Sequence, residues 1–331
     1  MTNLLSYNTF GIGAHAAHFA EVKTVAELRR ELRSATTPVL VLGGGSNILF
    51  TQDWPGTVVR NAIGGIEVVR QFKNRAWVRA GGGESWHGLV QWAVSRGLGG
   101  LENLSLIPGT VGAAPVQNIG AYGVELQDLF ISLEAVDLAT GKNRHFRRAQ
   151  CHFGYRDSVF KNTEKGRFCI TSVTLSLSTD RHRIRTDYGD ITKTLAEMGI
   201  SRPGIADVSA AVVRIRSAKL PDPAQIGNCG SFFKNPTVMR VVFEKIQQNH
   251  ATAPHYDLPD GRVKIPAGWL IEQCGWKGKR VGNTGCHDRQ ALVLVNHGGA
   301  SGAEVVALAR AIVESVEKTF GVRLEPEVNV L

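Results

Sequence analysis

Val39-Leu40-Val41-Leu42-Gly43-Gly44-Gly45-Ser46-Asn47-Ile48-Leu49-Phe50 is the stretch whose reading decides the fold. A short β-favouring apolar run enters three consecutive glycines, which reads as a buried strand delivered into a tight loop. Glycines allow backbone N–H groups to face a ligand where side chains block approach, and Ser46 and Asn47 add a hydroxyl and an amide. Such a nest suits pyrophosphate oxygens, although a tight turn between strands has the same appearance. A dinucleotide-binding βαβ unit needs G-x-G-x-x-G opening a helix. Here Ile48 stands at the third glycine position and Ile48-Leu49-Phe50 reads as another strand, so that fold is disfavoured.

Working outward, Thr24 and Glu27 form a capping box ahead of Val25, Leu28 and Leu32, which places a surface helix over about 24–35 with Pro38 beyond it. Ala76–Ala80 followed by Gly81-Gly82-Gly83-Glu84 repeats the strand-then-glycine arrangement. Leu89, Trp92 and Ala93 then follow at helical spacing, with Gly97 as a stop. Between Ile131 and Leu177 short alternating runs point to antiparallel strands. Pro221-Asp222-Pro223 marks a boundary, because proline fixes φ and periodicity is lost on both sides. Beyond it come a helix from Pro266 to Gly275, a strand over Ala291–Val295, a helix capped by Ser301 and Glu304 and closed by Gly321, and a final strand over Val322–Val330.

The chain of 331 residues is 43% hydrophobic, enough to bury two or three cores. Lys and Arg outnumber Asp and Glu by 38 to 29. The basic residues are scattered, which favours small anionic ligands over a nucleic-acid stripe. Five cysteines without a C-x-x-C pair suggest neither a disulfide framework nor a zinc site, and buried or free thiols in a reducing cytoplasm are the expectation. The ten histidines show no H-x-x-x-H spacing, so no metal is assigned and most are expected at the surface. No export signal is visible at the N-terminus. The uncharged run from Leu104 to Gly123 approaches the ~20 residues of a membrane span. Pro108, Pro115, Gln117, Asn118 and its glycines would leave polar groups unpaired in lipid, so it reads as a buried loop system.

That loop system, with small residues and amides and no charge, suits a flat heteroaromatic ring, since backbone and amides meet its edge and small side chains permit approach to its face. Phe153-Gly154-Tyr155-Arg156-Asp157-Ser158 offers a guanidinium able to grip a carboxylate through two parallel bonds, with a surface ion pair as the plain alternative. Gly227-Asn228-Cys229-Gly230-Ser231-Phe232-Phe233-Lys234-Asn235-Pro236 exposes a serine on a glycine corner. Without a G-x-S-x-G elbow it reads as a proton-donating or positioning hydroxyl. Leu324-Glu325-Pro326-Glu327-Val328 places two carboxylates on one face of an extended chain; a solvated acid pair is the plain reading. Tyr188 lies in the turn-like Asp187-Tyr188-Gly189-Asp190.

Taken together and in order, LGGGSN, LSLIPGTVGAAPVQNIGAYG, FGYRDS, IRSAKLPDP, GNCGSFFKNP, AGWLIEQCG, QALVLVN and LEPEV resemble the UDP-N-acetylenolpyruvoylglucosamine reductase family over essentially the whole chain. The Asp187-Tyr188-Gly189 segment resembles the form with a tyrosine-bearing loop over the substrate. The resemblance implies an α+β chain with a vanillyl-alcohol-oxidase-like (PCMH-type) FAD-binding fold. Its two subdomains, 1–67 and 68–217, precede a C-terminal α/β substrate-binding domain over 218–331. It implies FAD held by Gly43, Gly44, Gly45, Ser46 and Asn47 at the pyrophosphate, by Pro108, Gly109, Gly112, Gln117, Asn118, Gly120, Ala121, Tyr122 and Gly123 around ribityl and ring, and by Arg216. NADPH is implied as reductant and UDP-N-acetylglucosamine enolpyruvate as substrate, with Tyr155, Tyr188, Lys219, Asn235 and Gln290 contacting the sugar nucleotide. Arg156, Ser231 and Glu327 are implied as catalytic residues. A cytoplasmic monomer without nucleic-acid or membrane partners is expected. An oxidase of the same fold would share the glycine loops, and a non-catalytic nucleotide-binding regulator is permitted by the basic charge. Neither alternative requires Arg156, Ser231 and Glu327 together.

Overall fold

The computed structural model describes residues 1–331. The chain forms two compact units: Met1–Thr2, His15–Gly44 and Trp54–Ala218 make the first, and Asn3–Ala14, Gly45–Asp53 and Lys219–Leu331 the second. In the first unit, strands β1 (His15–Val22), β2 (Val39–Leu42) and β3 (Trp54–Asn61) are parallel, with β3 between the other two. Helix α1 (Val25–Ser34) connects β1 to β2 and starts where expected. Thr24 Oγ1 accepts from Glu27 N at 3.1 Å, and Glu27 Oε2 accepts from Lys23 N at 2.7 Å. Because β2 is an edge strand, only Leu42 of its four residues is fully buried, which departs from the buried strand its composition suggests.

The antiparallel sheet expected over 131–177 is formed and is wider than that span. Its order is β7 (Asn143–Arg147), β6 (Phe130–Asp137), β8 (Phe168–Ser178), β5 (Arg75–Gly81) and β4 (Ile66–Gln71). Helix α2 (Trp86–Ser95) buries Trp86, Leu89, Val90 and Ala93 in one core with Val78, Leu133, Val173 and Leu175 of the sheet. Ser85 caps α2 by accepting from Gly88 N, and Trp86 Nε1 donates to Leu104 O at 3.0 Å, so the buried indole keeps its polar group paired. A separate core joins α1 to both sheets: Leu28 meets Val22, Val59, Val136 and Cys169. Two further helices, α3 (Ile191–Glu197) and α4 (Ile205–Lys219), bury Leu195, Val212 and Ile215 together, and Tyr122 packs against that cluster.

In the second unit, β9 (Gly227–Ser231), β10 (Thr284–Cys286) and β11 (Val293–Asn296) pair antiparallel with β11 central. Helix α5 is Arg240–Asn249, α6 is Ala267–Gln273, and α7 (Gly302–Phe320) packs on α6. The Ser301/Glu304 capping box opens α7 and Gly321, at φ +66°, closes it. No helix is long and apolar enough to cross a membrane. The expected final strand over 322–330 is reduced to Asn329–Val330, which pairs parallel with Ile48–Leu49. Pro326 has no N–H for a ladder. It instead sits at a non-hydrogen-bonded position of a single antiparallel bridge to Phe233, flanked by the bonds from Lys234 N to Glu325 O and from Glu327 N to Phe232 O.

The start of α7 makes a sharp demand on its first residue. A Cβ on Gly302 would stand 1.9 Å from Phe50 O, a backbone atom that cannot swing aside. Gly302→Ala is expected to destabilise the protein by about 1–3 kcal/mol despite the better helix propensity of alanine. Urea unfolding checks this, and an unchanged or raised midpoint would contradict the close packing.

Candidate active site

Three glycine-bearing stretches of the first unit lie backbone against backbone. Gly82 N donates to Thr171 O at 2.7 Å, Gly112 N to Gly82 O at 2.8 Å, Val111 N to Glu84 O at 2.9 Å and Trp86 N to Gly109 O at 3.0 Å. A Cβ on Gly82 would fall 2.2 Å from Ile170 O, one on Gly112 2.7 Å from the same oxygen, and one on Gly43 2.5 Å from Thr110 Oγ1. Gly44 lies against Gly109, with 3.1 Å from its Cβ position to that Cα. The segments carrying Gly43, Gly44, Gly109 and Gly112 therefore present main chain in place of bulky side chains, which fits a pyrophosphate and a flat ring. Gly45, Ser46 and Asn47 belong to the second unit. Gly45, at φ +64°, would place a Cβ 2.0 Å from Tyr7 O, and Asn47 O accepts from Asn329 N at 3.1 Å, tying the loop to the C-terminal segment.

Within the uncharged loop, Pro108 and Gly123 are exposed, whereas Gln117 ends a short 3-10 helix and is half-buried, as are Gly120, Ala121 and Tyr122. Asn118 differs. It is 0% exposed, at φ +44°, and its side chain is spent inside the protein. Nδ2 donates to Glu125 Oε2 and to Gly154 O, both at 2.9 Å, and Oδ1 accepts from Gln127 N at 3.0 Å. The side chain expected to touch the flavin is thus committed inward, and it holds the turn that carries Arg156. That turn closes through Gly154 N to Asp157 O at 3.0 Å and Asp157 N to Gly154 O at 3.2 Å, with Arg156 at φ +52°. Ser158 Oγ ties it to Val116 O at 2.6 Å. Arg156 Nη2 donates to Gly120 O, and a Cβ at Gly120 would stand 3.0 Å from Arg156 Nη1, so glycine there admits the guanidinium. Tyr155 is exposed beside it, with its ring centre 5.4 Å from the guanidinium carbon.

A second cation approaches the same loop from α4. Arg216 Nε donates to Leu106 O at 3.3 Å, and Leu106 N donates to His87 Nδ1 at 3.0 Å. Leu106 sits at φ +57°, a conformation a leucine adopts only when its surroundings hold it there. His87 is half-buried and is an exception to the surface histidines expected from spacing. Its partner lies 19 residues away, with no local signal in sequence. Burial draws the Arg216 guanidinium below its ordinary value; Tyr122 opposes that and the Arg156 charge adds to it, so the three groups share one electrostatic environment. Tyr188 lies against Gly123 and Tyr122 against Gly189, with 3.6 and 3.7 Å from the respective glycine Cβ positions, so the tyrosine turn borders the loop.

In the second unit, Ser231 ends β9 after a register shift against β11, and Gly230 there has φ +73°. Gly230 N is held by Asn228 Oδ1 at 3.0 Å, a bulge that re-aims the following side chain. Glu327 is drawn to the end of the same strand by its 2.8 Å backbone bond to Phe232 O. Burial raises the Cys229 thiol pKa, and the charge of Glu327 raises it further, which places that carboxylate beside β9. Glu325 instead faces solvent and pairs with Lys234 at 3.7 Å. Asn235 Oδ1 accepts from Ala267 N at 2.9 Å, and Gln290 Oε1 stands 2.9 Å from the Gly268 Cβ position. Both amides therefore lie on the first turn of α6. Lys219 is exposed at the end of α4.

Residues 16–147 match a family model described as an FAD binding domain, and residues 222–331 one described as the UDP-N-acetylenolpyruvoylglucosamine reductase C-terminal domain. The fold is that of a flavoprotein, and with the backbone-walled cradle it defines an FAD-dependent oxidoreductase. The chain is 54% identical to the UDP-N-acetylenolpyruvoylglucosamine reductase of Burkholderia multivorans, covering 98% of this chain and 94% of that one. It is 47% identical to the enzyme of the same name from Flavobacterium johnsoniae, covering 99% and 98%. The crystal structure of the Thermus caldophilus reductase matches with a TM-score of 0.68 at 28% identity, covering 99% of this chain and 97% of that one. The chain belongs to the UDP-N-acetylenolpyruvoylglucosamine reductase family.

The His87 contact sets a pH expectation. Burial, reinforced by the Arg216 charge, lowers the His87 pKa below 6.5 in the folded state. The unfolded chain binds that proton first as pH falls, so the stability His87 contributes is complete above about 6.5 and is lost below it, down to the folded pKa. His287 and His297 are shifted the same way, so the comparison must be made against a single variant. His87→Asn keeps an acceptor near Nδ1 and cannot titrate. Its unfolding free energy is expected to fall less steeply than wild type between pH 6.5 and 5; parallel curves would show that His87 does not titrate on folding.

Proposed function

We propose that this protein reduces UDP-N-acetylglucosamine enolpyruvate to UDP-N-acetylmuramate with NADPH as reductant, as a cytoplasmic monomer. The observation that carries the reading is the Arg156 turn, where Asn118 holds the Gly154 carbonyl and Gly120 O accepts from a half-buried guanidinium that shares its surroundings with Tyr122 and Arg216. A cation held there is built for an anionic group, and a guanidinium is suited to a carboxylate. Bound here and reduced by NADPH, FAD would supply the hydride chemistry that turns the enolpyruvyl methylene into a methyl group.

That addition places negative charge on the adjacent carbon and its carboxylate, and the protein's part is to neutralise it. Arg156 binds the carboxylate as it becomes enolate-like. Ser231 delivers a proton from Oγ to the same carbon; a hydroxyl is a weak acid, but an enolate-type carbanion is basic enough to take its proton, and the serine regains one from solvent. Glu327, beside the strand that carries Ser231, is the third catalytic group. Gly43–Asn47 would hold the FAD pyrophosphate, Pro108–Gly123 and Arg216 would line the ring and ribityl chain, and Asn118 acts through the Arg156 turn. Tyr155, Tyr188, Lys219, Asn235 and Gln290 hold the uridine diphosphate sugar. The basic balance of 38 to 29 suits ligands that are all polyanions.

Ser231→Ala tests the assignment because only the second half-reaction needs the proton. Flavin reduction by NADPH is expected at the wild-type rate, with reoxidation by the enolpyruvyl sugar slowed by roughly 10²–10⁴-fold. Equal reoxidation rates in anaerobic stopped flow would remove Ser231 from this role.

A further inference from the structure

A pocket of about 390 Å³ opens on the first unit, lined by the end of β8, the start of β5, the segment around Gly99–Asn103 and the chain from Asp180 to Arg185. None of Arg156, Arg216, Tyr155 or Tyr188 lines it. Five arginines do: Arg75, Arg148, Arg181, Arg183 and Arg185, against the carboxylates of Glu102, Asp128 and Asp180. Of these arginines only Arg185 is ion-paired, with Asp128 at 3.4 Å; Arg75 reaches only the hydroxyl of Ser176, at 3.5 Å. Glu102 is 2% exposed and accepts from Gly100 N at 2.5 Å, so its charge is turned into the protein. Arg75, Arg148, Arg181 and Arg183 are exposed and outnumber the one remaining carboxylate, Asp180, so the concavity carries a net positive potential, screened by solvent, that attracts an anion.

Hydrogen bonds tie the floor of the pocket together. Gly99 and Ser178 exchange backbone bonds at 2.9 and 3.0 Å, and Ser178 Oγ meets His182 Nδ1 at 2.7 Å. Asn103, 1% exposed, donates to Tyr122 O at 3.1 Å and to Arg185 O at 3.0 Å, while Arg185 Nη1 donates to Gly123 O at 2.8 Å. The arginine-bearing chain is thereby tied to the backbone of the loop that carries Tyr122 and Gly123.

We infer that this pocket is a second anion site, separate from the Arg156 site, which binds a compact polyphosphate through the forks of Arg148, Arg181 and Arg183. A diphosphate offers several acceptor oxygens to planar donors approaching from different elements, and a volume of about 390 Å³ accommodates it with part of a nucleoside. The shared chemistry is the diphosphate group, free or carried on a nucleotide.

Calorimetric titration of the flavin-loaded protein with inorganic pyrophosphate, and in parallel with uridine diphosphate, tests the inference. Three proteins are compared: wild type, the double variant Arg148→Glu/Arg183→Glu, and Lys219→Ala, which weakens the sugar-nucleotide site. Both substituted arginines are exposed, and retained flavin absorbance with an unchanged unfolding midpoint verifies the fold. Should the charge reversals fail that check, Arg148→Ala/Arg183→Ala replaces them. Pyrophosphate binding is expected to persist in Lys219→Ala and to weaken about tenfold or more in the double variant. Loss of a uridine diphosphate binding event in the double variant as well identifies the nucleotide as ligand; loss for pyrophosphate alone identifies the free anion. Pyrophosphate binding absent from wild type, unchanged in the double variant, or abolished by Lys219→Ala overturns the second site.

Discussion

The side chain of Asn118 is the constraint on which the candidate site of the first unit depends. With no solvent exposure it satisfies a carboxylate, a carbonyl and an N–H drawn from three places in the chain. The Gly154 carbonyl it holds belongs to a turn that keeps Arg156 at positive φ, a conformation that costs an arginine of order 1–3 kcal/mol and persists only where its surroundings impose it. Leu106, Tyr122 and Asn118 itself share that conformation within the uncharged loop. Such strain gathered in one segment persists only where the surrounding structure over-determines it.

The same economy governs Arg216. A guanidinium cannot shed its proton, so its burial must be compensated by hydrogen bonding. Here Leu106 O takes one N–H and His87 holds Leu106 in turn, an arrangement in which a neutral imidazole supports a charge it does not touch. In the second unit a bulge at Gly230 re-aims Ser231, and the single antiparallel bridge between Phe233 and Pro326 holds Glu327 at the end of β9 through its backbone bond to Phe232 O.

Much of this was legible in the sequence where the signal is local. The Thr24 and Ser301 caps, the glycine stop at Gly321 and the glycine run after β2 each follow from a few neighbouring residues. What escaped depends on partners distant along the chain. Nothing near Asn118 says that its amide turns inward to Gly154, 36 residues on, and nothing near His87 reveals Leu106. The edge position of β2 and the packing of Asn3–Ala14 and Gly45–Asp53 with the C-terminal residues are likewise set by pairings that periodicity does not encode. The order of the motifs carried the family, and the comparisons agree over nearly the whole chain.

The central claim is that Asn118 positions Arg156 for the chemistry without itself touching the ligands through its side chain. The direct measurement is anaerobic rapid mixing of reduced, flavin-loaded Asn118→Ala with UDP-N-acetylglucosamine enolpyruvate. Flavin reoxidation is expected to slow by about 10²-fold, the scale of a small misplacement of a binding group, while reduction by NADPH stays near the wild-type rate. Reoxidation at the wild-type rate would contradict the account, because Arg156 would then find its place without the bonds that Asn118 provides.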